Sequence, residues 1–139
     1  MNPAPEAQAY QSRAEREIAD LLQRYQVPFL YEKPTAVVDA GKTKLWYPDF
    51  TLEYGLLIEY FGVHGDPSYA ERMAHKLRVY EQNQYDVVAM GPADLAQPDW
   101  RDHLLHRISS VLDRRLRDYR ARTGGVSGVA RPYRGSRGY

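Results

Sequence analysis

Apolar residues recur at helical spacing through residues 11–25, QSRAEREIADLLQRY, where Ala14, Ile18, Leu21, Leu22 and Tyr25 form one stripe. An amphipathic helix is expected there. VPFLYEKP then reads as a short strand ended by Pro34. TAVVDAG and KTKLWYPDFTL read as two strands joined across Ala40-Gly41, with Asp39 as a turn residue, and Glu53-Tyr54-Gly55 forms a second turn. LLIEYFG is almost continuously apolar, as a strand covered on both faces is. Ser68 and Glu71 stand at capping-box spacing and open a helix through about Glu81. YDVVAM is another buried strand, stopped by Gly91-Pro92. A long helix from about Trp100 to Arg122 turns Leu104, Leu105, Ile108, Val111, Leu112 and Leu116 inward. The order α-β-β-β-α-β-α predicts an α/β fold, a central mixed sheet flanked by helices.

The length, 139 residues, suits one domain. Residues 1–10 are expected to be flexible, residues 11–122 folded, and residues 123–139, TGGVSGVARPYRGSRGY, disordered and basic. No apolar run approaches a membrane span, and the N-terminus lacks a signal peptide's basic and apolar regions, so a cytoplasmic setting is expected. With no cysteine, any metal must be held by oxygen or histidine, which favours magnesium or manganese. The net charge of +1 conceals an asymmetry. Residues 1–112 hold 11 Lys and Arg against 16 Asp and Glu, whereas residues 113–139 hold eight Arg against two Asp. A basic end on an acidic body suits a polyanion such as nucleic acid, or is simply a solvated helix face with a loose tail.

Two charges stand where burial is predicted. Glu59 lies in the middle of LLIEYFG, on the face shared by Leu57 and Phe61. A buried carboxylate must be paired, neutralised or bound to a metal. Asp49 precedes it by ten residues, on a strand expected to pair with this one. The two can converge on a cation, or Glu59 can simply form a salt bridge. Lys76 is the second misplaced charge, within the inward stripe Tyr69, Met73 and Tyr80 of the following helix. It can snorkel to solvent or reach the same site as Glu59 and meet a phosphate oxygen there.

Pro48-Asp49, Glu59 and a preceding helix carrying Ser12-x-x-Glu15-x-x-Ile18-Ala19 resemble the PD-(D/E)XK nuclease superfamily. Phe61 stands where the usual motif has lysine; the pattern is similar to the variant whose lysine, here Lys76, has migrated to the next helix. The resemblance implies a restriction-endonuclease-like core and one or two Mg2+ or Mn2+ ions held by Asp49, Glu59, the Tyr60 carbonyl and Glu15. It makes Asp49, Glu59, Lys76 and Glu15 catalytic. Glu15 is equally placed to close a capping box with Ser12. Glu32 reads as a surface charge, and His64 and His75 as structural or exposed histidines. Tyr60, Tyr69 and Tyr80 read as core.

The expected activity is Mg2+-dependent hydrolysis of DNA phosphodiesters. Small stand-alone members of the superfamily include Holliday-junction resolvases, so a homodimer cutting four-way or branched DNA in recombination or repair is the expectation. The alternatives are a nicking or repair endonuclease on duplex DNA, or a catalytically weak DNA-binding module of a phage or mobile-element complex. Arg114, Arg115, Arg117, Arg120, Arg122, Arg131, Arg134 and Arg137 are expected to contact phosphates without reading sequence.

Overall fold

The computed structural model describes residues 9–63 and 65–124. The first helix, α1 (Arg13–Arg24), is followed by β1 (Leu30–Tyr31), β2 (Thr35–Asp39), β3 (Lys42–Trp46) and β4 (Phe50–Thr51). A single 3-10 turn, Glu53–Gly55, leads into β5 (Leu56–Tyr60). Then come α2 (Pro67–Gln82), β6 (Asp86–Met90), the short α3 (Pro92–Leu95) and α4 (Trp100–Gly124). Among the described residues no helix is long and apolar enough to cross a membrane.

The main sheet has the order β1-β4-β5-β6. β1 and β4 are antiparallel, as are β4 and β5, which the 3-10 turn joins. That turn needs left-handed backbone at Tyr54 and Gly55 (φ 61° and 74°). β5 and β6 are parallel, so their connection must cross over, and α2 makes the crossing. The predicted mixed α/β architecture is therefore what the chain forms.

β5 is covered on both faces, as its unbroken apolar run implies. Leu56 and Ile58 pack with Ile18, Leu22, Val88, Leu104 and Ile108, beneath α1 and α4. Leu57 packs on the other face with Val37, Val79 and Tyr80, beneath α2 and the β2-β3 hairpin.

Several expectations need correction. KTKLWYPDFTL is two strands, because the chain leaves regular pairing at Tyr47–Asp49. Pro48 has no N–H to offer a ladder. β3 stays with β2 in a separate hairpin, and β4 enters the main sheet. Tyr25 is exposed rather than part of the stripe of α1, because the helix ends at Arg24 and Gln26 turns the chain with φ 56°. The cap of α2 is Asp66, whose carboxylate accepts from the Ser68 amide, with Pro67 at the first helical position. Tyr10, assigned to a flexible end, packs edge-on against Tyr31 at 4.7 Å between centroids. Thr123 and Gly124, assigned to the disordered tail, end α4 instead, and the rest of that tail lies outside the described residues.

Asn83, which caps α2, ties the hairpin's backbone to that helix. The Asn83 amide accepts from Val38 N (2.9 Å) and donates to Val38 O (3.0 Å) and Val79 O (2.7 Å). Replacing Asn83 by Ala should cost on the order of 1 kcal/mol, since water can take over the bonds at exposed Val38 and only Val79 O is partly buried. Amide hydrogen exchange should show protection lost first in residues 35–46; unchanged exchange there would contradict this anchoring role.

Candidate active site

Asp49 sits one residue ahead of β4. In the β4–β5 ladder Phe50 faces Ile58 and Thr51 faces Leu57, so one further step places Asp49 across from Glu59. Because Phe50 and Ile58 lie on the α1–α4 face, alternation turns both carboxylates to the α2 face. The backbone fixes Asp49 from both sides. Its carbonyl accepts from Glu32 N (3.0 Å), and its Oδ2 accepts from Tyr60 N (2.7 Å). Glu32 thus contributes its main chain, while its carboxylate takes a bond from Gln11 at the surface (2.7 Å).

Glu59 is 2% exposed. Its Oε2 lies 3.1 Å from Lys76 Nζ and accepts from the Tyr80 hydroxyl at 3.0 Å. Lys76 and Tyr80 are one helical turn apart on α2, and Val79 and Tyr80 press that turn against the sheet. The salt bridge expected as one reading of Glu59 is therefore present, formed by the very lysine singled out as a site residue. The hydroxyl of Tyr80 is held well above the usual tyrosine range, by burial and then by the adjoining Glu59 carboxylate. It remains a donor throughout the working pH range.

Glu15 approaches from α1. Ser12 Oγ accepts from the Glu15 amide at 3.1 Å and caps the helix, but the Glu15 carboxylate does not close the box. It accepts instead from the Tyr31 hydroxyl. Burial, followed by this hydrogen bond, raises the Tyr31 pKa strongly.

The electrostatic result is a surplus of negative charge at Asp49. Burial pushes its pKa up to about 7; the Tyr60 amide opposes the rise, Glu59 and Glu15 add to it, and Lys76 offsets part of it. Hydrogen bonds and ion pairs among the described residues use Asp49 Oδ2 and Glu59 Oε2, and leave Asp49 Oδ1 and Glu59 Oε1 unengaged. Among the described residues no three His, Cys, Asp or Glu side chains gather closely enough to hold an ion by themselves. Two carboxylates fit Mg2+ nonetheless, which commonly takes one or two from a protein and completes its shell with water or phosphate oxygens.

Other candidates fall elsewhere. Asp39 is more than a turn residue: it ends β2, is buried, and binds Lys44 Nζ (2.8 Å) and His75 Nε2 (2.9 Å) through one oxygen. The Lys44 bond, then that of His75, holds its carboxyl below the usual range. Two signals were available in the sequence, the inward alternation Thr35-Val37-Asp39 and the position of His75 beside Lys76. His64 lies outside the described residues. Arg115 Nε and Arg114 bind Asp86 at 2.6 and 2.7 Å, at the start of β6, whereas Glu59 lies beside Ala89 near that strand's end. Burial alone would raise Asp86, but the two arginines hold its carboxyl below the usual range. These arginines pin α4 to the sheet, away from the acidic site. Arg117, Arg120 and Arg122 are exposed, and Arg131, Arg134 and Arg137 lie outside the described residues.

A carboxyl whose folded pKa is raised destabilises the fold as pH climbs from its unfolded pKa to its folded one. For Asp49 that window runs from about 4 to about 7. Below it both states are protonated, and above it the penalty is complete. Asp49→Asn should therefore be nearly neutral at the acid end and stabilise the metal-free protein at the alkaline end, by on the order of 2 kcal/mol. Denaturant melts across that range check this; a difference that ignores pH would contradict it.

No family model and no curated protein matches the chain. Among solved structures it is similar to the catalytic domain of the homing endonuclease I-Bth0305I, with a TM-score of 0.55 and 19% identity. The match covers 76% of this chain and 98% of that domain. At that identity the likeness is one of fold: the α/β framework that carries Asp49, Glu59 and Lys76 is also the framework of an endonuclease domain.

Proposed function

We infer that this chain is a metal-dependent DNA endonuclease of the PD-(D/E)XK type, with the lysine supplied by α2. The observation that carries the reading is the meeting of three charges from three elements. Asp49 stands before β4, Glu59 lies on β5, and Lys76 Nζ lies 3.1 Å from Glu59. The endonuclease fold of the structural neighbour supports it.

Asp49 and Glu59 would hold the ion through their unengaged oxygens, with the Tyr60 carbonyl as a further donor and Glu15 acting directly or through water. Bound Mg2+ or Mn2+, one or two ions, would supply Lewis-acid stabilisation of phosphate charge and a water nucleophile near neutral pH. The protein's own groups do the rest. Tyr80 and the Tyr60 amide fix the two carboxylates, which lowers the reorganisation needed when substrate arrives. Lys76 sits within reach of whatever Glu59 touches. Its ammonium positions a phosphate oxygen and offsets the charge that grows on the phosphate during hydrolysis. Branched DNA, above all a four-way junction met by a homodimer in recombination or repair, is the proposed substrate; nicking or repair of plain duplex is the nearest rival.

The closed Lys76–Glu59 pair favours one second reading, a DNA-binding module in which the charges persist only as a buried ion network. Labelled four-way junction, duplex and single strand, each incubated with Mg2+, decide between them. Junction should be cut, and Asp49→Asn, Glu59→Gln and Lys76→Ala should each lower the rate about 100-fold or more. Duplex cut as fast as junction would remove the junction preference and spare the nuclease. Binding with no cleavage of any substrate would favour the module.

A further inference from the structure

A groove of about 630 Å3 runs between the outer end of β3 and α2, and Lys76 belongs to its wall. Its volume is in the range of pockets that hold small organic molecules (about 300–1,000 Å3). The hairpin side is apolar and aromatic, Leu45, Trp46 and Tyr47, and the helix side adds Met73 with the basic Arg72 and His75. Leu45 and Tyr47 are each 54% exposed, large apolar surfaces left in water on one side of the molecule.

The groove adjoins the acidic site through Lys76, which lines it and pairs with Glu59. Trp46 stands edge-on to Tyr80 at 5.3 Å between centroids, and the Tyr80 hydroxyl holds Glu59. One aromatic layer therefore separates an occupant of the groove from the carboxylates. Two cations on the helix wall, Arg72 and Lys76, outnumber its single acid, Glu71. Flat faces beside cations suit an anionic ligand made of flat rings. Bases in a duplex hide their faces in the stack; only unpaired ones offer them to aromatic side chains.

We propose that this groove binds an unpaired stretch of DNA, with a base laid on Tyr47 and Trp46 and its phosphate held by Arg72 and Lys76. It deepens the nuclease reading and rests on it for the identity of the nucleic acid. An unpaired base beside the scissile phosphate gives the enzyme preference for DNA opened or branched at that point.

The test uses the full chain in EDTA, so that no strand is cut, with fluorescence anisotropy of a short labelled single strand and of the matching duplex. Tyr47→Ala should weaken single-strand binding roughly five- to a hundredfold and leave duplex binding within about twofold. Tyr25→Ala, 55% exposed at the end of α1, is the matched control and should change neither. The single strand should also quench the emission of the half-buried Trp46, and Trp46→Phe should abolish the quench, since Trp100 is buried in the core. Unchanged single-strand affinity in Tyr47→Ala, equal losses on strand and duplex, or no quench overturns the groove. So does a change of sedimentation coefficient in Leu45→Ala and Tyr47→Ala without a change of affinity, which would make the surface a contact between two copies. Cleavage separates the two readings. Wild type that cuts DNA while Tyr47→Ala binds normally refutes the groove alone. Wild type that never cuts, with single-strand binding lost in Tyr47→Ala, refutes the nuclease alone.

Discussion

A carboxylate in the middle of a strand covered on both faces must be compensated, and much of this molecule is arranged around that requirement at Glu59. Desolvating the charge without partners would cost several kcal/mol. The fold meets the cost with Lys76 and Tyr80, one turn apart on a helix that the parallel β5–β6 connection needs in any case. The crossover that closes the sheet is thus also the element that brings an amine to the acid.

The compensation is incomplete, which makes the site interesting. Lys76 neutralises one negative charge, while Asp49 faces Glu59 and feels Glu15 from the other side of the sheet. Burial first, and then these two acids, raise the pKa of its carboxyl to about 7. A cluster that only braced the fold would gain from one fewer acid, and the opposite end of β6 shows such a cluster: Asp86 with Arg114 and Arg115, one acid against two bases. The proposed cation supplies what the Asp49–Glu59 end lacks.

Much of this was legible in the chain. The unbroken apolar run of LLIEYFG predicts a strand covered on both faces, and a charge inside it marks the candidate site without any structure. The stripe Tyr69-Met73-Lys76-Tyr80 likewise predicts which helix supplies the amine. What sequence could not show is which groups would be paired. Tyr80 reads as core because tyrosine usually is; only the fold shows its hydroxyl on Glu59. Glu15 reads equally as a site residue or as the partner of Ser12 in a capping box; the box does not close, and Tyr31, sixteen residues away, donates to its carboxylate. Arg114 and Arg115 read as free phosphate contacts because Asp86, their partner, is far away in the chain. The break at Pro48 was hidden by a flanking pattern that suits a strand on either side. Pattern reports exposure well; it does not report long-range partners.

Asp49 and Glu59 are proposed to share one divalent ion. Titrating the protein with Mn2+ while following free Mn2+ by electron paramagnetic resonance tests that directly and requires no DNA. Saturable binding by the wild type is predicted, weakened about tenfold or more by Asp49→Asn and by Glu59→Gln separately. A wild type that leaves Mn2+ free, or two variants that bind it as the wild type does, would contradict the shared ion.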